Sequence, residues 1–485
     1  MILLKDILFG VSIISISGNT SSTIKEIRFD SRRISTGDLF IAIKGVKIDG
    51  HKFINQAIAN GANTIIHENE IYSKENGVNY VHVENSKKAL AIIASNFYNQ
   101  PSKNLKLIGV TGTNGKTTVA TLLFSLFKSA GYKVGLISTV KIIVHDNIYN
   151  TNHTTPDPIT INYYLDEMNR IGVEFCFMEV SSHGIDQLRT EALLFKGGIF
   201  TNLSHDHLDY HNSFKDYRDV KKSFFDNLPK TAFALFNSDD KNGHLMVQNT
   251  KAKVYSYALK SNADYKVKVI ENQFTGLLLK INNCEIWVKL VGVFNAYNVA
   301  AIFACADILN LEYEELLRLI SDLDSVTGRF DFYVSNSNIS IIVDYAHTPD
   351  ALKNVLQTIN NIRSGNESII TVFGCGGERD KGKRPKMGEV ASILSTTVIL
   401  TNDNPRSENP DAIISEIQNG VDPKYFNKII LINDRKEAIR TAGKLAKEGD
   451  IILIAGKGHE DYQEICGKKE YFSDIEVVKQ YLIEL

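Results

Sequence analysis

A glycine-rich segment has the residue types needed to hold phosphate groups. Residues 109–118 read Gly-Val-Thr-Gly-Thr-Asn-Gly-Lys-Thr-Thr, after a strand-like run and before a helical pattern. In such a loop the backbone N–H groups face the phosphates, Lys116 reaches the outer phosphates, and the Thr117 hydroxyl can ligate Mg²⁺. Val110 stands five positions before Gly115, where the common pattern has glycine. The segment predicts a nucleotide site, and a plain glycine turn is the alternative.

A second candidate is a lysine on the apolar face of a helix. Residues 213–225 predict a helix with Ser213 as N-cap. Its apolar stripe consists of Phe214, Tyr217, Phe224 and Phe225. Lys221 falls near the middle of that stripe, and Lys222 lies to one side. One interpretation is a side chain whose charged end reaches water. The other is a desolvated amine of lowered pKa, which can add CO₂ and form a metal-binding carbamate.

A third candidate follows a later apolar run. Asp403-Asn404-Pro405-Arg406 comes directly after the run at 397–401, and ligands of doubly wound sheets bind beyond the carboxyl ends of the strands. The Asn-Pro pair favours a turn, which is the simpler interpretation. Arg406 can also form a bidentate pair with a planar carboxylate. The segment therefore predicts a site for a carboxylated substrate.

The elements that must carry these segments alternate between strands and helices. The strand-like runs of the middle region lie at 105–110, 173–180 and 198–202. A helix with one apolar face follows the glycine loop and is predicted to stop at Gly131. After about Phe332 the pattern restarts, with apolar runs at 339–343, 369–373, 397–401, 429–432 and 451–455. Such alternation predicts an α/β fold with parallel sheets and crossover helices.

The length of 485 residues suits about three domains. We predict an N-terminal α/β domain over residues 1–103, with short strand-like runs such as 38–43. A central P-loop ATPase domain with a parallel sheet is predicted over 104–332, and a C-terminal Rossmann-like, doubly wound domain over 333–485. The segment at 100–104, Gln-Pro-Ser-Lys-Asn, is predicted to link the first two.

Bulk composition excludes several classes of protein. A hydrophobic content of 43% and a charged content of 23% are ordinary for a globular protein. The net charge of -2 argues against nucleic-acid binding. We expect no membrane span, because no apolar run reaches about 18 residues. The five cysteines form no CxxC pair, which argues against a zinc site or a disulfide framework and favours reduced thiols in the cytoplasm.

Three segments together resemble the Mur ligase family, whose relatives include the folylpolyglutamate synthetases. They are Gly-Thr-Asn-Gly-Lys-Thr-Thr at 112–118, Met-Glu-Val-Ser-Ser-His at 178–183 and Asp-His-Leu-Asp-Tyr-His at 206–211. The resemblance covers nearly the whole chain and implies an ATP-dependent, amide-bond-forming ligase with two Mg²⁺ sites. It implies that Lys116, Lys221, Glu179 and His207 are catalytic. It further implies a metal site of Thr117, Glu179, His207 and Lys221, with Lys221 carbamylated by CO₂. The role of His183 stays open.

The resemblance also assigns an ATP site. Its residues are Gly112, Thr113, Asn114, Gly115, Lys116, Thr117, Thr118, Asn295, Arg329 and Asp344. Asn298 is an alternative to Asn295, and His347 is a further candidate. Thr327 replaces the proline of the family's Pro-Gly-Arg signature, which leaves the stiffness of this hinge open.

Two further sets of residues match the branch of the family that extends a UDP-linked muramoyl-dipeptide. UDP-N-acetylmuramoyl-L-Ala-D-Glu would be bound by Phe29, Ser31, Thr154, Thr155, Ser181, Gln187 and Arg189, with a loop at Val46, Lys47 and Ile48. meso-2,6-Diaminopimelate would be bound by Arg379, Asp403, Asn404, Pro405, Arg406, Gly456 and Glu460. Asp-Asn-Pro-Arg resembles the signature of the diaminopimelate-adding members. Arg406 favours this amino acid because lysine lacks its second carboxylate.

The reaction that the resemblance implies has two steps. The γ-carboxylate of D-glutamate attacks the γ-phosphate of ATP, and the amine of diaminopimelate then attacks the resulting acyl phosphate. The family serves peptidoglycan biosynthesis, and through it cell-wall growth, cell shape and cell division, so we expect a cytoplasmic monomer with no nucleic-acid partner. The alternatives are a lysine-adding homologue, a folylpolyglutamate synthetase-like ligase and, outside the ligases, a P-loop ATPase switch.

Overall fold

The protein is described by a computed structural model that covers residues 2–45, 48–71, 73–151, 153–207 and 209–484. Three large sheets follow one another along the chain, each with helices packed on it. Within those ranges, every helix is too short or too polar to cross a membrane.

The N-terminal part forms a five-stranded sheet of order β2-β7-β6-β5-β4. Its strands, with the small pair β1 and β3 beside it, are β1 (Ile2–Leu3), β2 (Ile13–Ser17), β3 (Thr23–Ile24), β4 (Ile27–Arg28), β5 (Leu39–Ile41), β6 (Thr64–His67) and β7 (Asn79–Val83). Its helices are α1 (Leu4–Ile7), α2 (Ile54–Ala59) and α3 (Ser86–Phe97), with 3₁₀ turns at Ser31–Arg33, Gly50–Phe53 and Pro101–Lys103. Strands β4 to β7 are parallel, and β2 is antiparallel at one edge.

The middle part is an 11-stranded sheet of order β11-β10-β9-β12-β8-β13-β14-β15-β16-β17-β18. Its strands are β8 (Lys106–Thr111), β9 (Val134–Ile137), β10 (Ile142–Val144), β11 (Asn147–Tyr149), β12 (Phe175–Glu179), β13 (Phe195–Phe200), β14 (Phe233–Asn237), β15 (Lys253–Ala258), β16 (Tyr265–Gln273), β17 (Gly276–Ile281) and β18 (Cys284–Val288). Its helices are α4 (Lys116–Ser129), α5 (Pro158–Arg170), α6 (Ser182–Asp186), α7 (Phe214–Asp226), α8 (Gly243–Val247), α9 (Val293–Ile308) and α10 (Tyr313–Ser321).

The parallel sheet predicted for this region is the centre of a mixed sheet. Strands β9, β12, β8, β13, β14, β15 and β16 pair in parallel. Antiparallel strands β10 and β11 extend one edge, and β17 and β18 extend the other. These edge strands follow one another through tight turns, so they need no crossover helix. Strand β8 lies between β12 and β13, and this order places the ends of three strands around the glycine loop.

The C-terminal part is a six-stranded sheet of order β19-β20-β24-β21-β22-β23, parallel except for β19. Its strands are β19 (Asp331–Val334), β20 (Ser340–Asp344), β21 (Ile369–Phe373), β22 (Thr397–Leu400), β23 (Ile429–Leu431) and β24 (Ile451–Ala455), followed by a separate hairpin of β25 (Tyr462–Ile465) and β26 (Lys468–Tyr471). Its helices are α11 (Pro349–Ile362), α12 (Lys383–Leu394), α13 (Pro410–Gln418), α14 (Arg435–Leu445) and α15 (Asp474–Tyr481), with a 3₁₀ turn at Pro423–Lys428. Apolar clusters cover both faces of the sheet, so the predicted doubly wound α/β fold is confirmed.

Candidate active site

The glycine-rich loop connects the end of β8 to the start of α4. Gly112 has a φ of 149° and Gly115 a φ of 88°, backbone conformations that favour glycine. A Cβ on Gly115 would lie 2.7 Å from Oδ1 of Asn298, and one on Gly112 would collide with the side chain of Thr201. The sequence therefore needs both glycines for the loop to turn against its neighbours.

Contacts from neighbouring strands and helices hold the rest of the loop. Oγ1 of Thr113 lies 3.0 Å from the hydroxyl of Tyr217, and the backbone N–H of Asn114 donates to Oδ1 of Asn202 at 3.0 Å. Thr118 is buried in the first turn of α4. The loop is thus pre-shaped before any ligand arrives, with its N–H groups at the start of a helix.

Two lysine side chains converge on one carbonyl oxygen of this loop. Nζ of Lys116 donates to the carbonyl of Gly112 at 3.0 Å and to that of Thr113 at 2.8 Å. Nζ of Lys221 donates to the same carbonyl of Gly112 at 2.9 Å. Burial lowers the pKa of both amines, and the charge of Lys116 lowers that of Lys221 further. Two ammonium ions sharing one acceptor would repel each other, so this arrangement favours a neutral amine at one of them.

The position of Lys221 decides between the two interpretations of its helix. The residue is 1% exposed, and its amine lies 4.8 Å from the centre of the Tyr217 ring. The interpretation of a side chain reaching water is therefore wrong. Three residues of the predicted apolar stripe, Tyr217, Phe224 and Phe225, are buried with Lys221, and the fourth, Phe214, is half-buried. Ser213 caps the helix, as predicted, by accepting from the backbone N–H of Asp216.

Glu179 ends strand β12 and faces the loop with its carboxylate. Its Oε2 accepts from Oγ1 of Thr117 at 3.0 Å, and its Oε1 accepts from the backbone N–H of Thr139 at 2.7 Å. The residue is fully buried. This hydroxyl and this carboxylate are oxygen ligands of the kind that Mg²⁺ prefers.

His207 lies in the segment after β13, where its ring is 6.0 Å from that of Tyr217 on the Lys221 helix. It has a φ of 56°, and its Nε2 is 3.4 Å from Oδ2 of Asp206. Burial lowers its pKa to about 3, although Asp206 opposes that shift, so the imidazole is neutral and able to bind a metal ion. Its ring packs edge-on against that of His183 at 4.9 Å.

The donor set fits the predicted metal site. It offers the Thr117 hydroxyl, the Glu179 carboxylate, the His207 imidazole and the buried Lys221 amine. Among the residues described, no three His, Cys, Asp or Glu side chains group as metal ligands. A carbamate on Lys221 would supply the additional anionic oxygens that this set needs for a hard cation.

Arg329 reaches the loop from the hinge between the second and third sheets. Its Nη2 donates to Oγ1 of Thr117 at 3.2 Å, and its guanidinium lies 4.5 Å from the centre of the Tyr345 ring. Asp344, at the end of β20, accepts from the backbone N–H of Phe330 at 2.7 Å. Burial raises the pKa of Asp344 to about 6, although Arg329 opposes that rise.

The hinge itself is a tight turn. The N–H of Arg329 donates to the carbonyl of Val326 at 2.8 Å, and Gly328 has a φ of 74°. This places exposed Thr327 at the position of the turn where proline is common and Gly328 at the one that favours glycine. A Cβ on Gly328 would collide with the backbone of His459, so the hinge packs directly on the C-terminal sheet's last loop.

Two asparagines lie behind the loop on helix α9. Asn298, whose Oδ1 is close to Gly115, donates through its Nδ2 to Oδ1 of Asn295 at 2.9 Å. Asn295 in turn donates to the carbonyl of Val291 at 2.8 Å. Asn298 is therefore the one beside the loop, and Asn295 orients it. His347 is half-buried with its Nδ1 2.9 Å from the carbonyl oxygen of Tyr345, and desolvation of its ring lowers its pKa to about 4.

A cavity of about 180 Å³ lies between the N-terminal and middle sheets. Its lining residues are Phe29, Ile43, Gly45, Lys87, Leu90, His153, Asp157, Pro158, Gln187 and Arg189. It brings together three of the residues predicted for the UDP precursor, namely Phe29, Gln187 and Arg189. Sequence reasoning missed Lys87, His153 and Asp157, which follow no motif.

Hydrogen bonds connect Thr155 and Ser181, two of the other predicted precursor residues, to Arg189 in the wall of this cavity. Arg189 donates to the carbonyl of Thr155 at 2.6 Å, whose hydroxyl accepts from the backbone N–H of Ser181 at 2.9 Å. Thr154 accepts from the hydroxyl of Thr139 at 3.0 Å, which links this region to Glu179. Separate from that chain, Ser31 is buried against Gln56. Val46 and Lys47 lie outside the described residues, and Ile48 is exposed.

The residues predicted for the amino acid meet at the carboxyl ends of β22 and β24. Nδ2 of Asn404 donates to Oε2 of Glu460 at 2.8 Å, and Gly456, with a φ of 116°, lies against Asp403. Burial and the charge of Asp403 raise the pKa of Glu460. Pro405, which precedes Arg406 in the chain, is also buried.

Two arginines approach the same place. Nη1 of Arg406 donates to the carbonyl of Gly377 at 2.6 Å, while Arg379 is exposed on the neighbouring loop. Sequence reasoning missed Lys457, whose buried Nζ lies 3.0 Å from Oε2 of Glu460 and 3.2 Å from Oδ1 of Asn404. The only signal was its place within the Gly-Lys-Gly-His-Glu segment.

Comparison with known proteins gives consistent matches along the chain. Family models match residues 23–98 (Mur ligase family, catalytic domain), 110–306 (Mur ligase middle domain) and 328–458 (Mur ligase, glutamate ligase domain). UDP-N-acetylmuramoyl-L-alanyl-D-glutamate--2,6-diaminopimelate ligase of Cytophaga hutchinsonii is 50% identical over 481 residues, 99% of each chain. A solved structure of a ligase with that same name is 31% identical, with a TM-score of 0.69 over 99% of this chain and 98% of the other. A MurF ligase from Thermotoga maritima, in complex with ADP, shares the fold at 20% identity, with a TM-score of 0.63 over 89% of this chain and 93% of the other.

Proposed function

The chain belongs to the Mur ligase family, and we propose from this premise that it joins meso-2,6-diaminopimelate to the D-glutamate γ-carboxyl of UDP-N-acetylmuramoyl-L-alanyl-D-glutamate. It is a ligase that uses ATP to form an amide bond. The observation that carries the choice of amino acid is the meeting of Arg406, Asn404 and Glu460 beyond the carboxyl ends of β22 and β24, which flank β21 in the sheet. Arg406 suits the far carboxylate of the diamino acid, and Glu460 its far ammonium group.

The first step activates the D-glutamate side chain. A γ-carboxylate oxygen attacks the γ-phosphorus of ATP, the bond to the bridging oxygen breaks, and ADP leaves. Lys116 turns from its two loop carbonyls toward the phosphates, and Arg329 adds a second cation beside Thr117. These groups stabilise the charge that accumulates on the equatorial oxygens.

The second step forms the amide. The amine nitrogen of diaminopimelate attacks the acyl carbon, phosphate leaves with the bonding electrons, and the amine gives up a proton. Since Gly328 packs on the loop of His459, the hinge arginine and the amino-acid loop approach the phosphates together. Closure of this kind excludes water, which would otherwise hydrolyse the acyl phosphate.

Thr117, Glu179, His207 and a carbamylated Lys221 would hold Mg²⁺, and we propose two such ions in all. When bound, the ions would neutralise charge on the phosphates. This chain's own residues keep the imidazole of His207 neutral and the amine of Lys221 away from water, as both roles require. CO₂ reacts with the neutral form of an amine, and burial favours that form.

The cavity beside Phe29 and Arg189 is the proposed site of the UDP precursor, whose dipeptide end would point along Thr155 and Ser181 toward Glu179. We assign residues 1–103 to precursor binding, 104–332 to ATP and 333–485 to the amino acid. The enzyme would act as a cytoplasmic monomer in peptidoglycan biosynthesis, and so in cell-wall growth, shape and division.

The test is a competition for the incoming amine. The full-length protein, ATP, Mg²⁺ and UDP-N-acetylmuramoyl-L-Ala-D-Glu are incubated with equal amounts of meso-diaminopimelate and L-lysine, and the products are identified by mass spectrometry. We expect the diaminopimelate product, with phosphate release dependent on both substrates. Arg406→Lys is the matched variant and should lose this preference. A lysine product would overturn the choice of amino acid, and phosphate release without peptide extension would overturn the ligase reaction.

A further inference from the structure

Hairpin β25–β26 lies outside the six-stranded sheet but contacts the loop that carries Arg406. The backbone N–H of Arg406 donates to the carbonyl of Glu464 at 3.0 Å, and the N–H of Cys466 donates to the carbonyl of Arg406 at 2.7 Å. These bonds make a short parallel bridge between Arg406 and Ile465. Arg406 has a φ of 53°, which is uncommon for a residue with a side chain. The hairpin therefore holds Arg406 in a backbone conformation that a free loop would rarely keep.

The inner strand of the hairpin also fixes the two residues at the start of the loop. Nε2 of Gln463 donates to the carbonyl of Asp403 at 2.7 Å, and the N–H of Glu464 donates to Oδ1 of Asn404 at 3.0 Å. The outer strand, β26, is exposed along its whole length. One strand thus supports the entire loop, while the other faces solvent.

The side chain of Glu464 bears directly on the guanidinium of Arg406. Its Oε2 lies 3.4 Å from Nε of Arg406, and both side chains are mostly buried, at 24% and 18% exposed. On the other side, Nη1 donates to the carbonyl of Gly377. In the part of the chain that the structure describes, Nη2 of Arg406 has no hydrogen-bond acceptor. Contacts at Nε and Nη1 therefore fix the orientation of the Arg406 guanidinium, and its Nη2 can donate to a ligand.

We propose that Glu464 is a positioning residue that sets the specificity for the amino acid, by aiming the free edge of Arg406 at the far carboxylate of the diamino acid. This rests on the proposed function. A planar guanidinium binds a carboxylate well only when the two planes are aligned. Without Glu464, Arg406 keeps its charge but loses one of the two contacts that fix its plane. The loss weakens binding of a substrate with a second carboxylate and leaves one without that group unaffected.

The experiment compares Glu464→Ala and Glu464→Gln with Glu470→Gln in the full-length enzyme. Glu470 is the matched control, since it lies opposite Gln463 on the exposed strand of the same hairpin. Steady-state kinetics give kcat and the KM values for ATP, the UDP precursor and meso-diaminopimelate. L-Lysine is tested as a slow substrate or, failing turnover, as an inhibitor.

We expect Glu464→Ala to raise the KM for meso-diaminopimelate by about three- to tenfold, the effect of losing one charge-assisted contact. The other KM values, kcat and the constant for L-lysine should stay within about twofold, the usual tolerance for a site that is not perturbed. Glu464→Gln should show a smaller effect, because it keeps the shape of the side chain, and Glu470→Gln none.

An unchanged KM for diaminopimelate in Glu464→Ala would overturn the proposal, as would an equal rise for diaminopimelate and lysine, which would mark a purely structural role. If the wild-type enzyme made no diaminopimelate product at all, the proposed function would fail instead. The two failures are thus distinguishable.

Discussion

The ion pair of Arg435 and Asp474 provides a demanding test of how the C-terminal sheet positions its loops. Both side chains are 0% exposed, and two hydrogen bonds join them, Nε to Oδ1 at 2.8 Å and Nη2 to Oδ2 at 2.7 Å. Arg435 also donates to the carbonyls of Ala455 at 2.9 Å and Asn402 at 3.4 Å. It therefore ties the starts of α14 and α15 to the ends of β24 and β22, where the loops proposed to bind the amino acid begin.

Asp474→Ala would leave the buried guanidinium without a counter-ion. Breaking a buried pair by removing one partner costs about 3–5 kcal/mol. At about 1.4 kcal/mol for each factor of ten, the opening equilibrium of this sheet should rise by roughly two to three and a half powers of ten. Burial lowers the pKa of Arg435 and Asp474 raises it, so in the variant only the carboxylates of Asp403 and Glu460 are left to oppose the effect of burial.

Hydrogen exchange of the full-length protein, followed by mass spectrometry, measures this opening locally. We expect faster exchange in β22 and β24 of Asp474→Ala, and unchanged exchange in the middle sheet. Glu476→Ala, an exposed position on the same helix, is the control and should stay within about 0.5 kcal/mol of the wild type. If the amide hydrogens of Asp474→Ala exchanged at wild-type rates, or faster only within α15, the stabilisation assigned to the Arg435–Asp474 ion pair would be refuted.

Three further predictions concern the hinge, Asp344 and Lys221. Thr327→Pro should raise the free energy of unfolding by about 0.4–1 kcal/mol in calorimetry, because the turn already suits proline; a lower melting temperature would show that its φ is incompatible. Because burial raises the pKa of Asp344 to about 6, kcat/KM for ATP should fall as pH falls through about 6, and Asp344→Asn should abolish this dependence. The effect of Asp344 on the free energy of unfolding has the opposite pH dependence. Its carboxyl binds a proton more tightly in the folded than in the unfolded state, so the group stabilises the fold at low pH. This stabilisation is lost as the pH rises through about 6. Removal of CO₂ and bicarbonate should abolish ligation, and ¹³C-bicarbonate should give a carbamate signal that is missing in Lys221→Met; activity that is indifferent to CO₂ would contradict the carbamate.

Local patterns predicted the fold class correctly, and they also selected the residues of the candidate site. The glycine loop and the Lys221 helix are continuous segments, so their spacing alone shows which side chains share a face. The antiparallel edges of the middle sheet were not predicted, because the direction in which two strands pair depends on the connection between them and not on the composition of either strand.

Residues that act through distant contacts were the ones missed. Arg435 begins a helix of largely polar sequence and reads as a surface residue, yet its side chain is fully buried because Asp474, 39 positions later, folds onto it. Likewise, nothing near Arg406 in the sequence indicates that Glu464 contacts it. The spacing of residues along the sequence could not predict that Lys116 and Lys221 donate to the same carbonyl oxygen, because 109 positions separate Gly112 from Lys221.

The close packing of Gly328 on His459 has a mechanical consequence for product release. Tyr345 also donates its N–H to the carbonyl of Gly328 at 3.0 Å, so the segment that carries Arg329 is fastened to the third sheet rather than free between two bodies. If the third sheet rotated away from the second, Arg329 would move away from Thr117, and the loop that bears Glu460 would move with it. A single domain rotation would therefore open the way out for both the spent nucleotide and the lengthened peptide.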